Sequence, residues 1–113
     1  MFRRENLVLI EKYNRFVGYI YNPVINSNRK HKIARDALIA AISEQYRLIH
    51  YAVKSNQKSR IYDADAGLSY IRSLMRLMLH RKEDRRALTI KQVTVAEALL
   101  SEVGAMINSM LRK

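Results

Sequence analysis

Three features of the sequence predict an all-α fold, an antiparallel up-down-up-down four-helix bundle. Apolar residues recur three and four positions apart in four separate segments, the spacing of one helix face. Only 3 Gly and 1 Pro occur in 113 residues, too few for a turn-rich β fold. Ala, Leu, Met, Lys, Arg and Glu, all good helix formers, are abundant. Helices are expected at about residues 4–25, 29–54, 60–81 and 89–112 of a single domain, 1–113. At 1.5 Å per residue each is roughly 30 to 38 Å long, and short connections make successive helices antiparallel.

In the first helix Leu7, Ile10, Tyr13, Val17, Ile20 and Val24 supply the apolar stripe. Pro23 either stops that helix at Asn22 or kinks its last turn. Asn26, Ser27 and Asn28 then form a turn. The second helix opens on RKHKIAR, which sets cations where the helix macrodipole already places partial positive charge. Such a start is either a screened surface cluster or a place that holds phosphate.

Ala37, Leu38, Ile39, Ala40, Ala41 and Ile42 follow, apolar right round the helix. A helix on the rim of a monomeric bundle needs only one buried face. This segment therefore predicts burial on two sides, and so self-association.

The connection KSNQKSR leads to a third helix with Ser59 or Asp63 as its cap. Leu68, Ile71, Met75 and Met78 form its apolar stripe, and Arg72 and Arg76 a second, basic stripe beside it. Gly67, inside the helical pattern, costs about 0.5 to 1 kcal/mol relative to Ala and predicts a close helix–helix approach. After HRKEDRR, Thr89 to Gln92 make a capping box with Leu88 and Val93 at the staple positions. Val93, Ala96, Leu100, Val103, Ile107 and Met110 line the fourth helix.

Charge narrows the function. With 21 Lys and Arg against 10 Asp and Glu, the formal charge is +11, which favours polyanionic partners: nucleic acid first, an anionic membrane surface second. There is no cysteine, hence no disulfide and no thiolate zinc site. No apolar run approaches the roughly 20 residues that span a bilayer, so a soluble, cytoplasmic protein is expected. Catalytic patterns fail one by one. No Glu-x-x-His occurs, and His31, His50 and His80 are isolated, each a surface or satisfied side chain. Residues 63–67, DADAG, lack the ligand spacing of a calcium loop. There is no phosphate-cradling glycine loop and no nucleophile elbow. No enzyme activity, metal or cofactor is expected. The seven Tyr are read as packing residues with their hydroxyls at the rim rather than as base-stacking platforms.

Chain order sorts the cations. In an antiparallel bundle Arg29, Lys30, Lys32 and Arg35 share one end with Arg81, Lys82, Arg85 and Arg86, while Lys54, Lys58 and Arg60 mark the other. Arg72 and Arg76 run along the wall between them. No major-groove recognition motif accompanies these candidate binding residues, so phosphates and shape would be read rather than bases.

RKHKIARD, KSNQ, YDADAGL, the Arg72/Arg76 pair and VAEALLSEVGAMINSML resemble, in one collinear register from about Tyr13 to Arg112, the accessory variability determinant (Avd) family of diversity-generating retroelements. The resemblance implies a non-enzymatic protein that forms a homopentameric barrel of four-helix bundles. It implies a partner, the retroelement's reverse transcriptase, and binding of RNA and DNA with little sequence preference, in support of mutagenic cDNA synthesis and retrohoming. By the same likeness Arg72 and Arg76 match positions tied to the reverse transcriptase and nucleic acid. The role of His80 to Arg86 stays open. The alternative is a four-helix-bundle protein of the 23S rRNA intervening-sequence type, acting as a structural or RNA-associated interaction module.

Overall fold

A computed structural model describes residues 4–27, 31–55, 57–79 and 88–112, the side chain of Glu5 excepted. Four helices account for nearly all of them: α1 (Arg4–Ile25), α2 (Lys32–Ser55), α3 (Lys58–Leu79) and α4 (Ile90–Leu111). Each packs mainly on its two sequence neighbours, α4 closing the ring against α1, and the molecule extends 46 × 21 × 20 Å. The antiparallel sense shows in the partners. As the α3 number rises from Leu68 through Arg72 to Arg76, the α4 partner falls from Gly104 through Ser101 to Glu97. Among the described residues, no helix is long and apolar enough to cross a membrane.

The expected stripes of α3 and α4 are the buried ones: Leu68, Ile71, Met75 and Met78 face Val93, Ala96, Leu100, Val103 and Ile107 in the core, with Met110 at its edge. The α1 stripe differs. Leu9 and Phe16 are buried with Tyr13, Ile20 and Val24, whereas Leu7 is 49% exposed and Ile10 and Val17 are only partly covered. Residues 7–17 carry two apolar stripes at helical spacing, and packing selects the one bearing the bulky Phe16. Tyr13 is the hub of the α1–α2 contact. Its hydroxyl donates to the Ile42 carbonyl at 2.6 Å, and its ring meets Phe16 and, edge-on, Tyr46. Tyr46 in turn donates to Asn14 Oδ1. The helix runs through Pro23 and ends two residues later, where the Ser27 hydroxyl donates to the Val24 carbonyl.

Two boundaries shift. Helix α2 begins at Lys32, preceded by the buried His31; residues 28–30 lie outside the described residues. Helix α3 starts at Lys58, so Ser59 and Asp63 lie inside it and do not cap it. The carbonyl of Gln57 accepts from the amides of both Arg60 and Ile61, which begins the helix two residues early. The start of α4 is as expected. Thr89 Oγ1 accepts from the Gln92 amide, Gln92 Oε1 accepts from the Thr89 amide, and the flanking Leu88 and Val93 are both buried.

Gly67 marks the close approach its position predicts. A Cβ there would lie 1.9 Å from Gln45 Oε1 and 2.9 Å from Leu48 Cδ1 of α2. Gln45 is itself buried and donates to the Ala64 carbonyl at 2.8 Å, so one amide side chain locks α2 to α3 through the space a methyl would fill.

Candidate functional site

The basic residues fall into three groups with different electrostatics. Of the cations expected at the α1–α2 end, Arg29, Lys30, Arg81, Lys82, Arg85 and Arg86 lie outside the described residues, as does His80. Lys32 and Arg35 are described, and one carboxylate serves both. Asp36 pairs with Lys32 at 2.9 Å and with Arg35 at 3.5 Å. Hydrogen bonding from Lys32 holds the exposed Asp36 carboxyl below the usual carboxylate range. Arg35 also donates to the Ser27 carbonyl at 3.3 Å, tying the start of α2 to the end of α1.

Along the wall, Arg72 and Arg76 both reach across to α4. The Arg76 guanidinium grips Glu97 with two hydrogen bonds, 2.8 and 3.2 Å. Arg72 donates to Ser101 Oγ at 3.4 Å and lies over Gly104, where the missing side chain leaves it room. The Arg76 side chain remains 61% exposed and Arg72 is half-buried. This stripe is therefore accessible, but half of its charge is already matched by a carboxylate from a neighbouring helix.

At the α2–α3 end the opposite holds. Lys54, Lys58 and Arg60 are exposed, and no described carboxylate forms a salt bridge with any of them. Lys58 and Arg60 occupy the first turn of α3, which contains no acidic residue. There the helix macrodipole adds positive potential to theirs. Tyr51 stands between the helices, with the Arg47 guanidinium 5.2 Å and the Arg60 guanidinium 5.0 Å from its ring centre. Arg47 and Tyr51 join this group only in the fold. The i, i+4 step from 47 to 51 was readable, but the contact from 51 to 60 depends on where α2 stops and α3 starts. Tyr21, Tyr62 and Tyr70 are also exposed, while Tyr13, Tyr19 and Tyr46 pack in or against the core, the Tyr13 hydroxyl being buried and not at the rim. His50 lies on α2, its Nδ1 2.7 Å from the Tyr46 carbonyl.

The segment from Ala37 to Ile42 divides by face. Leu38 and Ile42 are buried, and Ile39 and Ala41 pack at the core edge. Ala37, Ala40 and Ala41 line a groove of about 270 Å³ between α2 and α3, whose other walls include Leu48, Gly67 and Tyr70. Among the described residues, no group of His, Cys, Asp or Glu is placed to hold a metal ion.

The described cations of this slender antiparallel bundle are thus sorted into paired and unpaired sets. The chain belongs to the bAvd-like family, whose model matches residues 7–113. That family is of an accessory, non-catalytic kind. A comparison with curated proteins returns no match.

Proposed function

We propose that this protein is the accessory subunit of a diversity-generating retroelement: a basic, self-associating cytoplasmic scaffold that holds RNA and DNA beside the reverse transcriptase during mutagenic cDNA synthesis. Family membership supports the retroelement role. The observation that carries the scaffold reading is the unpaired positive charge at the α2–α3 end, in a chain of net +11. Such charge attracts phosphates at long range and releases their counterions on contact. On this reading Arg72 and Arg76 serve the protein partner, where a carboxylate of the reverse transcriptase exchanges with Glu97. The groove lined by Ala37, Ala40 and Ala41 receives a neighbouring copy. A closed ring of five, as the family resemblance implies, buries it in every subunit.

The test is co-purification with a diversity-generating retroelement's reverse transcriptase, together with RNA and DNA binding across a salt series. The proposal expects a stable complex, and binding to both nucleic acids whose logarithm falls linearly with log salt. Failure to bind either partner at low salt would refute it.

A further inference from the structure

We propose that Arg47, Tyr51 and Arg60, with Lys54 and Lys58 beside them, form a built phosphate grip for single-stranded nucleic acid at the α2–α3 end. The inference rests on the nucleic-acid reading above and names a site within it. Tyr51 is 42% exposed, far more than packing alone requires, yet its ring is engaged by guanidinium groups from two helices, at 5.2 and 5.0 Å. Arg47 Nη1 also donates to the Tyr51 hydroxyl at 3.5 Å, and Arg47 shares its charge with Glu44.

A guanidinium laid against an aromatic ring loses the freedom that an exposed arginine otherwise gives up on binding. The planar fork of Arg60 remains free at the edge, in the geometry that takes a phosphate bidentately, whereas that of Arg47 is engaged by Glu44 and Tyr51 and adds charge and ring contact. Lys58 and Arg60 belong to the first turn of α3, where cations are disfavoured unless an anion arrives, and no described carboxylate compensates them. With Glu44, Asp63 and Asp65 all counted against Arg47, Lys54, Lys58 and Arg60, the balance at this end is still positive, four cations against three carboxylates. Tyr51 is on this account a positioning residue: it holds the arginines and does not itself bind.

The test uses the full chain and a 30-nucleotide oligouridine, followed by fluorescence anisotropy from low to moderate salt, with circular dichroism to confirm the fold. Single strands contribute about 0.7 to the slope of log K against log salt per phosphate contact, about fivefold in affinity at 0.1 M. Arg60→Ala is expected to reduce the slope by about 0.7 and the affinity by about fivefold. Tyr51→Ala, which keeps every charge, is expected to weaken binding to a similar extent, and Tyr51→Phe, which keeps the ring, to restore it. A Tyr51→Ala protein that is folded and binds like wild type would overturn the grip while leaving the scaffold reading intact. Absence of wild-type binding at low salt would overturn both. Displacement of the RNA by polyglutamate at equal charge concentration would overturn the grip in favour of an acidic protein partner.

Discussion

The two seams of α3 are made from similar parts and behave differently. Each has a glycine and basic side chains. Toward α2, Gly67 is filled to contact by Gln45 and Leu48, and Lys54, Lys58 and Arg60 at the end of that seam form no salt bridge with a described carboxylate. Toward α4, Gly104 leaves space: a Cβ there would meet only Arg72 Nη2 and Leu68 Cδ1, both at 3.7 Å, and the arginines of that wall bond to Glu97 and Ser101. The lesson is that neither a glycine nor a basic stripe has a fixed meaning. The neighbouring helix decides whether the glycine is a packing necessity and whether the charge is available.

The largest effect expected follows from the tight seam. Gly67→Ala must displace an amide that is buried and hydrogen-bonded to Ala64, so it should cost about 1 to 3 kcal/mol, read as a lowered melting temperature. A neutral result would erase the contrast between the seams. Tyr13→Phe tests the α1–α2 contact that backs the tight seam. Losing its hydrogen bond to Ile42 should cost about 1 kcal/mol at neutral pH. Burial pushes the Tyr13 hydroxyl above the ordinary phenol value of 10.0. Its folded-state value thus exceeds the unfolded one, so its contribution is complete below about pH 10 and is lost as pH rises further. Wild type should therefore lose stability above pH 10 more steeply than Tyr13→Phe in denaturant titrations.

Gly104→Ala sharpens the comparison from the other side. The methyl fits at ordinary contact distance and helix propensity improves, so about 0.5 to 1 kcal/mol of stabilisation is expected. Arg76→Ala should have the smallest effect, about 0.2 to 1 kcal/mol by urea unfolding and less in high salt, because the pair is largely exposed on the arginine side.

The fold is largely legible because the stripes expected in α3 and α4 are the ones that are buried, and because α4 opens on a capping box that local hydrogen bonds satisfy without tertiary help. In α1 the expected Tyr13, Ile20 and Val24 are buried, but Leu9 and Phe16 take the places read for Leu7, Ile10 and Val17, because residues 7–17 offer two stripes and only the facing helices choose. The start of α3 was misplaced because Gln57 acts through its backbone carbonyl, which no side-chain cap signals. Gly67 was readable, since a glycine in a strong helical pattern needs a reason. The candidate site was legible only as a set of cations. The carboxylate that engages Arg76 is 21 residues away at Glu97, and Tyr51 meets Arg60 across a turn, so pairing and stacking depend on the antiparallel register.

The central claim is that available charge lies at the α2–α3 end and not along the α3–α4 wall. It is tested most directly by the salt dependence of single-stranded RNA binding for two double variants of equal charge, Lys58→Ala/Arg60→Ala and Arg72→Ala/Arg76→Ala. The account predicts that the first lowers the slope of log K against log salt by about 1.4, two contacts of about 0.7 each, while the second leaves it near wild type. The reverse order would contradict it, placing the RNA on the wall and making the Glu97 pair a latch that opens to receive it.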